Sequence, residues 1–368
     1  MRKLWLRIFA VAVTLFAVVA GSAADSLKTR NVFLIISDGY RWQEVFTGAD
    51  DPLISLEFGG VKDTNALRAK FWRPTPEARR ATLMPFFWSE IAHKGQLLGN
   101  QNKGSFVRVS NERNFSYPGY NEIVTGFADP RIDSNAKKLN PNTNVFEWIE
   151  RHEGFRGKVG IIGTWDVFPY IFNCDRSKLP IWPAWGETFA TEIKVADIIN
   201  KLVADTARIG HDVVHDSFAI HASWEYIRRE KPRLGFIGFG ETDEFAHQTH
   251  YDQYLLSAQR VDRFVGELWA YFQSMPEYRD QTTLIVTADH GRGKSPITWR
   301  GHGSDIPESD GDWIAILGPD TPALGERTDG RNNQAQIAST IAALLGLDYN
   351  RFFSQAGTPI HELIGASR

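Results

Sequence analysis

The sequence is poorest in sulfur: Cys174 is its one cysteine, and 3 methionines are spread over 368 residues. A lone cysteine excludes an intrachain disulfide. It equally excludes a thiolate zinc site, so any metal has to be held by aspartate, histidine and hydroxyl oxygens. An excess of one charge is also lacking, since 41 Lys and Arg stand against 44 Asp and Glu, a formal net charge of -3. That near-balance provides no signature of nucleic-acid binding and no attraction to an anionic membrane. Internal repeats, low-complexity tracts and domain linkers are absent as well. One apolar run stands out, Ile8 to Ala20, flanked by Arg2, Lys3 and Arg7 and followed by Gly21-Ser22-Ala23-Ala24. It has the layout of a secretory signal peptide (residues 1–24) cut after Ala23 or Ala24, with an uncleaved anchor as the alternative. No later stretch is long enough to span a bilayer. The expectation is an exported, periplasmic or secreted chain whose residues 25–368 form a single domain.

What is present is a set of apolar runs that end in acids. Leu284 to Ala288 runs into Asp289-His290, Asn31 to Ser37 into Asp38, and Leu234 to Gly240 through Glu241 and Thr242 into Asp243. Continuous apolar runs without alternation suit strands buried on both faces. Further strands are expected at Gln96–Leu98, Phe106–Val109, Lys158–Gly163 and Trp313–Leu317. Helices are expected at Leu83–Lys94, Asn144–His152, Phe189–Ile209, Asp212–Glu230, Tyr251–Gln273 and Asn332–Leu345. Alternating strands and helices imply a doubly wound α/β fold with a largely parallel sheet. Two stretches read as loop excursions, one near 40–80 and one, aromatic and proline-rich, near 165–187.

In such sheets ligands bind beyond the carboxyl ends of the strands. One strand-end Asp is commonly a helix cap or turn former. Three of them beside Asp289-His290, Asp243-x-x-x-His247 and His302 point to a metal centre. Imidazole and carboxylate suit zinc, with manganese or iron as alternatives. Asp243 and His247 share a face if their segment is helical. His221 and His250 lack such company. Ser116 precedes Pro118, which suits a helix's first turn, so its hydroxyl is expected at a helix N-terminus where dipole and free amides favour an anion. The plainer reading is an N-cap serine.

Taken in order, Asp38, Ser116, Asp243-x-x-x-His247, Asp289-His290 and His302 resemble the alkaline phosphatase superfamily, especially its type I phosphodiesterase/nucleotide pyrophosphatase and periplasmic phosphomonoesterase branches. The Ser-x-Pro-Gly-x6-Thr-Gly segment from Ser116 to Gly126 is similar to their nucleophile segment, where Thr is commoner in first place. The resemblance implies one metal on Asp243, His247 and His302, and another on Asp38, Asp289 and His290 completed by Ser116. It implies two divalent ions, zinc or manganese, ~4 Å apart, clamping an in-line displacement. A small-molecule phosphate ester would then be hydrolysed, as a diester or by a broad phosphatase, through a phosphoserine at Ser116. Asn135 falls near an Asn that donates to the phosphoryl group in related enzymes, at slightly shorter spacing; Lys158, Trp165 and Asp166 are further candidates. Alternatives within the resemblance are a sulfatase-like or phosphonate hydrolase and a phosphoglycerate-mutase-like phosphotransferase. Outside it stands a binding protein that retains the metal scaffold. Tyr120 occupies the place of the Arg in the sulfatase signature.

Overall fold

The structure, a computed structural model, describes residues 27–185, 192–210 and 212–365. The expected signal peptide and the first residues of the helix expected from Phe189 lie outside the described residues. Strands β1 (Asn31–Ser37), β2 (Gln96–Leu98), β3 (Phe106–Arg108), β4 (Val159–Gly163), β5 (Ile181–Trp182), β6 (Leu234–Phe239), β7 (Thr282–Thr287), β8 (Gly311–Asp312), β9 (Ile314–Leu317), β10 (Gly325–Glu326) and β11 (Arg331–Asn333) form two sheets. The larger has the order β10-β2-β9-β7-β1-β6-β4-β5, the smaller β11-β3-β8. Only β9 runs against its neighbours in the larger sheet. The largely parallel α/β architecture expected from the apolar runs is therefore present.

Its central strands β1, β6 and β7 are buried along their length because helices pack on both faces. Alternation along β1 sorts its side chains between two apolar clusters. Val32, Leu34 and Ile36 join one, while Phe33 and Ile35 join the other. Each such side chain contributes about 1.5–3 kcal/mol on leaving water. Helix Tyr251–Ser274 follows the sequence pattern closely, and Val145–Glu150, capped by Asn144, lies within its expected range. The helix expected from Asn332 begins only at Ile337, because Arg331–Asn333 pairs with β3 as β11 and Gln334–Gln336 forms a 3-10 turn.

The differences have local causes. The stretch near 40–80, expected as a loop excursion, is largely helical: Trp42–Thr47, Leu56–Gly59, Thr64–Phe71 and Pro76–Leu83. Each helix is too short to display a period, and Ser55, Asp63 and Thr75 fix three of them by accepting a backbone N–H at the N-terminus. The helix expected from Leu83 instead begins beyond Pro85, as a wide turn at Phe87–Ile91 followed by Ala92–Lys94. Asp262 holds its start by accepting from the amides of Phe86 and Phe87 at 3.0 and 2.9 Å. The aromatic stretch near 165–187 is not a surface loop through its described part. It carries helices Phe168–Ile171 and Cys174–Ser177 and strand β5, with Phe168, Phe172 and Trp182 buried. The helices expected at Phe189–Ile209 and Asp212–Glu230 are shorter, Asp197–Asp205 and Asp216–Glu230. Among the described residues no helix is long and apolar enough to cross a membrane.

Phe236 of β6 lies at the middle of the aromatic packing under the site, its ring 4.9–6.1 Å from those of Phe172, Phe168, Phe146 and Tyr120. Phe236→Ala is expected to cost about 3–5 kcal/mol in urea unfolding. A loss under about 1 kcal/mol would mean that this packing is not integral to the core.

Candidate metal centre

Strand order decides where the acids collect. β7, β1 and β6 are neighbours, and Ile36 of β1 lies level with Thr287 of β7 and Gly238 of β6. The chain therefore leaves all three strands at one edge of the sheet. Asp38 follows β1 directly and Asp289-His290 follow β7. Asp243 sits in the first turn of the helix Glu241–His247 that follows β6. Asp216 caps that helix by accepting from the amides of Gly240 and Glu241, and the Thr242 hydroxyl ties it to the Asp38 carbonyl at 2.6 Å.

His290 is the meeting point. Its Nε2 lies 3.3 Å from Asp38 Oδ1, 3.5 Å from Ser116 Oγ, 3.7 Å from Asp289 Oδ2 and 3.8 Å from Asp243 Oδ1. His302 Nε2 lies 3.7 Å from Asp243 Oδ1 and 3.0 Å from His247 Nε2, which is 3.2 Å from Asp243 Oδ2. The His290 and His302 rings stack at 4.0 Å. Ligand atoms of Asp38, Asp289 and His290 lie within 4.8 Å of one another, as do those of Asp243, His290 and His302. The seven residues singled out in the sequence thus converge.

The donor set fits divalent cations. His290 Nδ1 is 3.0 Å from the Gly291 carbonyl and His302 Nδ1 is 3.0 Å from the Asn114 carbonyl. A proton held at each Nδ1 leaves each Nε2 lone pair aimed into the centre, as a ligand imidazole requires. Burial drives His290 down to about 4 and takes His302 well below the usual histidine range, so both are neutral at pH 7. Asp38 Oδ1 and Asp289 Oδ2 are buried with no hydrogen-bond partner. Burial, then a neighbouring carboxylate (Asp243 for Asp38, Asp38 for Asp289), pushes both carboxyls well above the usual range. Burial also acts upward on Asp243, but Arg292, His247 and His302 outweigh it and hold that carboxyl well below.

Several contributors are invisible in local sequence. Tyr120 donates its hydroxyl to Asp38 Oδ2 at 2.9 Å, leaving Oδ1 to face His290. Arg292, fully buried, pairs with Asp243 Oδ1 and donates to the Asp243 carbonyl at 3.1 Å. Gly39 has φ +56 and donates its amide to Asp289 Oδ1; a Cβ there would stand 2.7 Å from Asp243 Oδ1.

Ser116 is the first residue of helix Ser116–Thr125, but Phe115 holds the N-cap position. The serine is therefore not a cap, and its Oγ faces His290. The expected cradle of free amides is also reduced, because Pro118 has no N–H and the Tyr117 amide donates to Asn135 Oδ1 at 2.9 Å. With Oδ1 so engaged, the Asn135 NH2 group remains for the cavity it lines. Lys158 lies at the opposite end of β4, donating to the Glu230 carbonyl, and Asp166 pairs with Lys137. Trp165 does reach the site. The cavity of about 190 Å³ is lined by Asp38, Ser116, Asn135, Asp243, His247 and His302. Thr164, Trp165, Phe168, Asp212, Val213 and Glu244 line it as well, and burial and Asp243 push the Glu244 carboxyl up to about 7.

A largely parallel sheet whose strand ends gather aspartates and histidines around a helix-borne serine is the architecture of the alkaline phosphatase superfamily. Residues 61–330, more than half of the chain, match the family described as type I phosphodiesterase / nucleotide pyrophosphatase, and the chain belongs to that family of phosphoester hydrolases. No curated protein sequence matches it. Among solved structures it is similar to the murine ectonucleotide pyrophosphatase / phosphodiesterase 5, at 14% identity and a TM-score of 0.52, covering 91% of this chain and 100% of that one. The lipoteichoic acid synthase from Listeria monocytogenes is similar at 10% identity and TM-score 0.56, covering 92% and 76%. The phosphonate monoester hydrolase of Agrobacterium radiobacter is similar at 13% identity and TM-score 0.53, covering 91% and 77%. At these identities the likeness is one of fold.

The serine helix approaches the Asp289 backbone so closely that a Cβ on Gly119 would lie 2.3 Å from the Asp289 carbonyl oxygen. Gly119→Ala is expected to push Ser116 away from His290, lowering phosphoester hydrolysis at least about tenfold. The far-ultraviolet circular dichroism should be unchanged. Full activity in that variant would show that the helix has room to spare.

Proposed function

We propose that this protein hydrolyses phosphodiesters through a phosphoserine on Ser116. Asp243, His247 and His302 would hold one divalent cation, and Asp38, Asp289 and His290 with Ser116 would hold another. The observation that carries the reading is His290 Nε2, 3.5 Å from the serine hydroxyl and within 4 Å of carboxylates from three strand ends. Zinc suits this nitrogen and oxygen set, and manganese is the alternative. When bound, two such ions would supply positive charge that favours the serine alkoxide and offsets charge on the phosphoryl and leaving oxygens.

The chain's own groups would do the rest. Ser116 Oγ forms a bond to phosphorus as the bond to the departing alcohol breaks, and the alcohol takes up a proton. Water then attacks phosphorus from the opposite side, releasing the phosphate monoester and restoring the serine hydroxyl. Asn135, with Oδ1 held by the Tyr117 amide, would offer its N–H groups to a non-bridging oxygen. Tyr120 would keep Asp38 oriented toward the centre. A diester is favoured over a monoester because no lysine or arginine is among the cavity's lining residues, which do include Asp212 and Glu244. A dianionic phosphoryl group would be repelled more than a monoanion. The signal-peptide layout of residues 1–24 supports export.

The test combines metal analysis with hydrolysis of bis(p-nitrophenyl) phosphate and p-nitrophenyl phosphate. We expect about two divalent ions per chain, activity lost on chelation and restored by zinc, and the diester preferred. Ser116→Ala should lower turnover by at least about a thousandfold while binding metal. An active Ser116→Ala variant would sink the covalent route. Asn135→Ala is expected to lower kcat about a hundredfold, the typical loss for one donor to a developing oxyanion. An unchanged kcat would remove it from the site.

A further inference from the structure

Part of the cavity lining has no role in the reaction as derived, yet it is built. Thr164 Oγ1 is fully buried, lines the cavity and has no hydrogen-bond partner. Asp212 Oδ2 accepts from Trp165 Nε1 at 2.9 Å, which holds the indole, and both residues line the cavity. Glu244 fills the space that a side chain at position 210 would need: Gly210 has φ +62, and a Cβ there would stand 2.3 Å from Glu244 Oε2. Trp165, Phe168 and Val213 add apolar lining. These residues thus bring two carboxylates, an unpartnered hydroxyl and aromatic rings to a cavity whose lining includes no lysine or arginine.

Groups of this kind call for a small cation with N–H donors. We infer that the cavity selects phosphodiesters in which one ester substituent is a short alkyl chain ending in a primary ammonium. The ammonium would donate to Glu244, Asp212 and Thr164 Oγ1 and lie against the aromatic rings. A cavity of about 190 Å³ holds a substituent of that size. It is below the ~300–1,000 Å³ typical of drug-sized ligands. This inference rests on the phosphodiesterase reading and adds the substrate class.

The experiment compares 2-aminoethyl phenyl phosphate with propyl phenyl phosphate, its neutral isostere, with loss of diester followed by phosphorus NMR so that either leaving group is seen. Bis(p-nitrophenyl) phosphate is the common control. We expect kcat/KM for the amine to exceed that for the isostere by about tenfold. In Glu244→Gln that ratio should fall toward one, whatever happens to the separate rates. Asp212→Asn reads the same ratio if the first variant does not fold. Equal turnover of the two esters, or a ratio unchanged in the variants, overturns the inference while leaving a phosphodiesterase, provided the control is hydrolysed. If the control too is inert, the phosphodiesterase reading falls and this one with it.

Discussion

Asp38, Asp243 and Asp289 are crowded at the ends of three adjacent strands, and the mutual repulsion of their carboxylates is the constraint the surrounding structure has to answer. At an effective dielectric of about 20, two like charges ~4 Å apart repel by roughly 4 kcal/mol. Arg292 neutralises part of this at Asp243, and the hydroxyl of Tyr120 and the amide of Gly39 each satisfy one oxygen of the other two carboxylates. Asp38 Oδ1 and Asp289 Oδ2 are left over. Leaving buried acceptors unpaired is costly. Divalent cations would relieve the repulsion and the unpaired oxygens together, and that common relief is the physical ground for the proposed centre.

The same crowding explains the fixed geometry around it. The His290 and His302 imidazoles have Nδ1 beside a backbone carbonyl, so each neutral ring is held with Nε2 inward by a contact independent of any metal. The serine helix is held in two ways. Its Gly119 lies against the Asp289 backbone, and Asn135 occupies the Tyr117 amide. Asn135 thereby serves the helix as a capping side chain and, in the proposed reaction, the phosphoryl group as a donor. One residue in both roles couples the placement of the nucleophile to the placement of the charge it would create.

How much of this was legible follows from the range of the interactions. β1, β6 and β7 were readable because strands buried on both faces need uninterrupted apolar runs, and the acids at their ends were readable with them. Ser116 stood out through the resemblance of Ser-x-Pro-Gly-x6-Thr-Gly to a nucleophile segment, since its local sequence alone read as a plain N-cap serine. The four short helices between Trp42 and Leu83 did not, since their caps act over three residues and their packing comes from elsewhere. Tyr120 and Arg292 were beyond reach because their partners lie 82 and 49 residues away in the chain. A tyrosine in a helix and an arginine after a strand carry no mark of what they will touch. Lys158 shows the converse: it stood next to a recognisable strand, but at the end remote from the site.

The cavity lining combines two kinds of group, and the combination bears on what can enter. The proposed cations would draw a phosphoryl group in, while Asp212, and Glu244 when ionised, would oppose any second negative charge. At the same effective dielectric of about 20, a carboxylate ~6 Å from a unit negative charge costs roughly 3 kcal/mol, and a dianion meets about twice that. A diester carries one charge where a monoester carries two, so these carboxylates would favour the diester by charge before any shape is read. A positive substituent would turn the same carboxylates from a cost into an attraction. The apolar lining of Trp165, Phe168 and Val213 has no effect on that sign; it excludes water and so raises the strength of whichever interaction the substituent makes. In the proposed reaction, metal ligands of a kind shared across a superfamily would say little about choice of substrate, and the discriminating charge would come from Asp212 and Glu244, residues the reaction itself does not need.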